Sequence, residues 1–129
     1  MASVANAYER YRTQGVLTAS PVDLIVMLYE KCIKDLRQAE FALEKRNYSD
    51  ANKCFKQAQD ILIELMGSLD LQFDIAKHLM TLYEYMLHEI VECNIKKDAG
   101  GLRPVIEQLD SLRDAWAQIR KQQPARSLE

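Results

Sequence analysis

Thr18-Ala19-Ser20-Pro21-Val22-Asp23-Leu24-Ile25-Val26-Met27-Leu28-Tyr29 is the stretch on which the fold turns. Ser20 is a good N-cap, its side-chain oxygen able to accept an orphan backbone N–H. Pro21 falls at the first helical position, where a missing N–H costs nothing and the ring pre-sets φ. Asp23, three residues after the cap, favours the positive end of the helix dipole. These signals predict a helix that starts sharply at Pro21. Apolar positions then recur at helical spacing, Leu24, Leu28, Cys32, Leu36, Ala39 and Leu43, until the polar Lys45-Arg46-Asn47 ends the run.

Outward from this helix the pattern repeats. Ser49 is the expected cap of a second helix whose apolar face is Ala51, Cys54, Phe55, Ala58, Ile61, Leu62 and Leu65. Gly67 is expected to stop it in the left-handed conformation. A third helix is expected from about Asp74 to Lys97, with Ile75, Leu79, Leu82, Met86, Ile90 and Cys93 on its main face. Gly100-Gly101 breaks the chain, and a fourth helix carries Leu102, Val105, Leu109, Leu112, Trp116 and Ile119. Those last steps alternate three and four, the seam of a helix lying nearly parallel to its neighbours. Pro104 is tolerable only in the first turn of that helix. The links at 45–49, 67–73 and 98–103 are short, so sequential helices should be antiparallel. The fold expected is all-α: an antiparallel up-down four-helix bundle over 20–121, preceded by an N-terminal arm (1–19) and followed by a frayed tail (122–129). The closing Leu128-Glu129 is left out of this reading, as a pair that cloning can add.

Composition agrees. The chain has 129 residues, 48% hydrophobic and 28% charged, with 4 Gly and 3 Pro, an ordinary balance for one helical domain. The net charge of -2 and a pI near 5.7 carry no basic excess, which argues against a nucleic-acid partner. The longest apolar run, Leu24 to Tyr29, is far below the ~20 residues of a membrane span. Three cysteines outside any CxxC spacing fit free thiols in a reducing compartment.

Catalytic and metal constellations are not legible. His78 and His88 share the third helix but stand about 15 Å apart along its axis, so one metal cannot use both. Ile75 and Tyr85 occupy the places a Glu-x-x-His di-metal motif would need filled by Glu. Glu84, His88 and Glu92 share a face that reads as a solvated polar stripe. Neither histidine is followed by the Lys-Gly of phosphorelay bundles, and no phosphate loop, HExxH or nucleophile elbow occurs. No enzyme, cofactor or metal site is expected.

Apolar surface, by contrast, is in excess. Leu24 to Tyr29 is apolar on all sides for nearly two turns, and the third helix adds a second stripe, Ala76, Met80, Tyr83, Leu87 and Val91. A helix apolar all round is buried all round or awaits a partner. Five Met and six Tyr suit an adaptable binding surface. A wider core or a homodimer interface would account for the same excess.

Three blocks carry a resemblance. The first is Tyr11, Val16-Leu17-Thr18-Ala19-Ser20-Pro21, Leu24-Ile25 and Met27-Leu28-Tyr29; the second is Leu82-Tyr83-Glu84-Tyr85-Met86 with Asn94 and Asp98; the third is Leu109, Leu112, Arg113 and Ala115-Trp116. In order and spacing, from about Tyr8 to Ile119, they resemble the flagellin-specific export chaperones (FliS). The chain departs from the family pattern at Lys31, commonly a small residue, at the link Ser68 to Phe73, often Gly-Gly, and at His78, often Asn. The resemblance implies a cytoplasmic helical bundle that binds the disordered C-terminal segment of flagellin in hydrophobic grooves. It implies that flagellin is thereby kept from premature polymerisation and helped to the flagellar type III export gate, with other flagellar regulators as further partners. The expected flagellin-binding residues are Tyr8 and Tyr11 of the arm, Ile25, Leu28 and Tyr29 of the first helix, and Tyr83, Leu87 and Val91 of the third. The arm is also expected to lie in the empty groove until flagellin displaces it. The alternative is a structural or adaptor bundle whose spare apolar surface is a homodimer interface.

Overall fold

A computed structural model describes residues 21–122 of the chain; the expected arm with Tyr8 and Tyr11, the Ser20 cap and the tail from 123 lie outside the described residues. Four helices follow one another: α1 (Pro21–Glu44), α2 (Tyr48–Gly67), α3 (Asp74–Lys96) and α4 (Leu102–Gln122), with a 3-10 turn, Ala99–Gly101, before the last. α1 packs along α2 and α4, and α2 along α3, whereas α3 and α4 meet only lightly. The start of α1, the end of α2, the start of α3 and the end of α4 share one end of the molecule. This is an up-down antiparallel four-helix bundle with one loosely closed side.

The corners differ from expectation in two places. α2 is capped by Asn47 rather than Ser49: the Asn47 Oδ1 accepts the Asp50 N–H at 3.2 Å. Arg46, left-handed at φ 57, turns the chain so that the Asn47 N–H reaches the Ala42 carbonyl at 2.8 Å. At its other end α2 keeps Gly67 helical and stops at Ser68, which is right-handed and whose Oγ donates to the Leu65 carbonyl at 2.7 Å. The Ser68 hydroxyl and backbone N–H thus satisfy a terminal carbonyl where a left-handed Gly67 was expected to end the helix.

Between α3 and α4, Lys97 takes the left-handed conformation (φ 53), and its Nζ donates to the Asn94 carbonyl at 2.7 Å and to the Asn94 Oδ1 at 2.6 Å. Asn94 in turn donates to the Asn52 Oδ1 at 2.9 Å, tying this corner to the start of α2. A Cβ on Gly101 would lie 3.0 Å from the Glu89 Oε1 and 3.4 Å from the Cys93 Sγ, so a larger residue here would have to push the Glu89 side chain aside.

The core follows the expected faces of α1 and α2 and the first half of α4. Leu24, Leu28, Cys32 and Leu36 meet Phe55, Ala58, Leu62 and Leu65 on one side and Leu102, Val105 and Leu109 on the other. The Cys32 Sγ donates to the Ala58 carbonyl at 3.7 Å, and burial pushes its thiol well above the usual cysteine range. Cys32 and Cys93 are buried, Cys54 is half-buried, and all three are free. Asp35 is enclosed at the α1 surface that meets α2. It is ion-paired with Lys31, its Oδ2 has no hydrogen-bond partner, and burial raises its pKa.

α3 is rotated from its expected setting. The buried positions are Ala76, Tyr83, Met86, Ile90 and Cys93, so the two stripes exchange roles in its first half and Ile75 is 66% exposed. Tyr83 is turned inward by a hydrogen bond between its hydroxyl and that of Tyr29. α4 departs too. Its seam is fully buried at Leu102, Val105 and Leu109, half-buried at Leu112 and Trp116, and 41% exposed at Ile119.

Candidate functional site

The uncovered half of the α4 seam forms one wall of an open groove of about 780 Å³ at the end of the bundle where α1 begins. Trp116 and Ile119 face Ile75, Ala76, Leu79 and Tyr83 of α3 across it; Val22 and Ile25 of α1 and Leu69 and Phe73 of the α2–α3 link close the end. Phe73 and Ile75 are each more than half exposed at its rim, and Leu71 of the same link is 46% exposed. One turn further along the same two helices a second hollow is lined by Leu82, Leu112, Pro104 and Gln108. The groove lies where α3 and α4 make little contact. Each presents large apolar side chains that the other does not cover.

Its floor has one polar feature. The Tyr29 and Tyr83 hydroxyls are hydrogen-bonded to each other, with Tyr29 wholly enclosed and Tyr83 nearly so. Burial raises the pKa of both; for Tyr29, the hydrogen bond with Tyr83 partly offsets that rise. Both phenols are neutral at physiological pH, so the floor carries dipoles and no charge. His78 and His88 are exposed on α3, away from this floor, and among the described residues no cluster of His, Cys, Asp or Glu could hold a metal ion.

Of the expected binding residues, the structure brings Ile25 and Tyr83 together in the groove. Leu28 and Tyr29 are core residues behind it, Tyr29 as the support of Tyr83. Leu87 and Val91 are half-buried further along α3, outside the groove lining, and Tyr8 and Tyr11 lie outside the described residues. Sequence reading assigned Leu79, Trp116 and Ile119 to the core and passed over Val22, Leu69 and Phe73. The pattern of α4 held a partial signal: a seam of six apolar positions is long for a helix that must share its partners with three others. Asn94, a family position of undecided role, holds the α3–α4 corner together.

The sequence is similar to known proteins over most of its length. The family model for the flagellar protein FliS matches residues 4–123. The chain belongs to the FliS family. It is 34% identical over 116 residues to the flagellar secretion chaperone FliS of Bacillus subtilis (strain 168), covering 90% of this chain and 87% of that one. It is 34% identical over 116 residues to the protein of the same name from Vibrio cholerae, covering 88% and 85% of the two chains. To that of Salmonella typhimurium it is 30% identical over 122 residues, covering 92% and 90%. FliS is a family of chaperones and not of enzymes, which accords with a groove lined mainly by apolar side chains. No helix among the described residues is long and apolar enough to cross a membrane.

Proposed function

We propose that this chain is a cytoplasmic export chaperone that binds the C-terminal segment of flagellin in the groove between α3 and α4. Bound there, the segment is kept from polymerising and is presented to the flagellar export apparatus. The observation that carries the reading is the α4 seam: Leu112, Trp116 and Ile119 continue a core pattern that α3 leaves uncovered. A bundle of this size gains nothing for its own stability from an exposed Ile119, Ile75 and Phe73 beside a half-buried Trp116 at one end. A client helix laid along them completes the seam by the helix-in-groove mode.

The magnitudes support a large apolar contact. Ordering a disordered segment costs at least ~2–5 kcal/mol, and each large apolar side chain newly covered contributes about 1.5–3 kcal/mol. Covering Trp116, Ile119, Ile75 and Phe73 together outweighs that cost, with further gain from the client's own apolar face. Tyr8 and Tyr11 belong to the same proposal. Both are proposed as contacts of the client, as the family resemblance implies.

Calorimetric titration with a C-terminal flagellin peptide from the same genome tests the reading. The expected result is one-to-one binding with a strongly negative heat-capacity change. No binding by a protein shown to be folded overturns it. A stable dimer that no peptide dissociates would instead assign the groove to a second copy of the chain.

A further inference from the structure

We propose that Asp70, on the link between α2 and α3, sets the direction in which the client lies in the groove, by pairing with a basic side chain, lysine or arginine, at one end of the client's apolar strip. This rests on the client-binding reading above and adds to it the sign of the charge the client carries and the place where it meets the bundle.

Charge is sorted around the bundle. Among the described residues Asp70 is the one charged side chain in the groove lining. The hollow that continues the groove between α3 and α4 also has one, Glu107, again an acid, which borders the α1 side as well. No Lys or Arg of the described residues lines either. Lys77, in the first turn of α3, is directed to Asp74 at 3.9 Å instead. The hollows on the α1 side differ: Lys34, Arg37, Lys45, Lys53, Arg103 and Arg113 line them. Two of these are paired with acids of that face, Arg37 with Asp110 at 3.5 Å and Arg113 with Glu30 at 3.4 Å. The α3–α4 side is thus apolar with acids alone, and its charge complement is a client with cations.

Asp70 is held in place and keeps capacity to spare. It is exposed, and its Oδ1 accepts the Gln72 N–H at 3.1 Å, which fixes the carboxylate on the link. Two carboxylate oxygens offer about four acceptor sites, so one backbone bond leaves most of them open. Among the described residues Asp70 makes no ion pair. In the empty groove water fills the open sites. A docked client takes that water away together with the water over Leu69 and Phe73 beside it. A carboxylate that loses water without a partner opposes binding, whereas one that meets an ammonium or guanidinium gains a charge-assisted hydrogen bond. Apolar contact with Ile75, Phe73, Trp116 and Ile119 supplies affinity and tolerates either direction of the client. A single charge at one end of the groove does not, because only one direction puts a cation over Asp70. Charges at the edge of an apolar contact fix register and reject wrong partners in this way.

Calorimetric titration of the full-length protein with the flagellin C-terminal peptide, at low and at high salt, tests this. The same is done with peptides in which each Lys or Arg in turn is replaced by Gln. Asp70→Asn removes the charge and keeps an acceptor for the Gln72 N–H, so the link keeps its turn. It is expected to weaken binding about fivefold at low salt, the upper range of an exposed ion pair, and to differ little from wild type at high salt, where wild-type binding is itself weakened. One peptide substitution should cost about as much against wild type and almost nothing against Asp70→Asn. Asp70→Lys should weaken binding at least about tenfold through like charges, and a peptide with Glu at the coupled position should restore it. Glu44→Gln, which removes an acid on the α1 side, should stay within about twofold of wild type. Binding that Asp70→Asn leaves unchanged or tightens, a cycle with no coupled peptide position, or an equal loss in Glu44→Gln overturns the inference and leaves the chaperone reading standing. Failure of the wild type to bind any of the peptides overturns the chaperone reading, and this inference with it.

Discussion

The hydroxyl of Tyr29 on α1 is hydrogen-bonded to that of Tyr83 on α3, 54 positions away, across a part of the bundle otherwise packed with hydrocarbon. The pair ties α3 to α1 at the level where α3 departs from α4. Tyr29→Phe removes the hydrogen-bond partner of Tyr83. It should lower stability by about 1–2 kcal/mol, and the double Tyr29→Phe, Tyr83→Phe variant should lose less than the sum of the two single losses. Denaturant unfolding of the four proteins checks this; strict additivity would mean the two hydroxyls do not interact.

Ile119 and Ile95 are both exposed isoleucines, at 41% and 71%, but only Ile119 lines the groove. Replacing each with Asp separates a binding surface from incidental exposure. Ile119→Asp should weaken client binding at least tenfold with little change in melting temperature, since an acid there must be desolvated on docking. Ile95→Asp should leave both unchanged. Equal effects on binding would show that the groove is not where the client sits.

Asp35 gives a pH prediction with a definite sign. Burial holds its carboxyl above the ordinary value of 3.8, against the opposing pull of Lys31. The folded chain therefore holds this proton to higher pH than the unfolded chain, and the Asp35 contribution to stability falls as pH rises through 3.8 towards the raised folded value. Asp35→Asn removes that dependence, because a neutral amide is cheaper to enclose than an unpaired carboxylate oxygen. The variant should be as stable as wild type or more so at neutral pH, by up to about 1 kcal/mol, and the difference should shrink below pH 4. Denaturation curves across that range check it; a large loss at neutral pH would show that the Lys31 pairing outweighs the burial.

Asn94 accepts from Lys97 and donates to Asn52, so its side chain is occupied with the chain's own corner. Asn94→Ala should cost about 1–2 kcal/mol of stability through two lost side-chain hydrogen bonds, to Asn52 and from Lys97, although Lys97 keeps the backbone carbonyl of residue 94. Client affinity should be unchanged when measured well below the melting temperature. A loss of affinity without a loss of stability would place Asn94 in the binding surface instead.

Much of this protein is legible in its sequence. Helices announce themselves locally: Pro21 and Asp23 open α1, Leu24, Leu28, Cys32 and Leu36 set its buried face, and Gly100-Gly101 separate α3 from α4. These signals depend on backbone chemistry and on the 3.6-residue period, both of which a chain carries without knowing its neighbours. Short links then leave an antiparallel bundle as the only compact arrangement. Three ordered blocks of residues point to the family, and the family model agrees over residues 4–123.

The groove was decided by tertiary structure alone. Periodicity marks Trp116 and Ile119 as apolar positions on one face of α4, but whether that face is covered depends on the distance to α3. Nothing in the order of residues states that distance. It is set by the wide packing of α1 against α2 and α4, by the Asn52–Asn94–Lys97 corner, and by the Tyr29–Tyr83 bond that turns Ala76 and Tyr83 inward and Ile75 outward. A period specifies which side chains share a face. Only the assembled bundle specifies which faces run out of neighbours, and at the end where α1 begins it leaves Ile119 and Ile75 exposed and Trp116 half-covered.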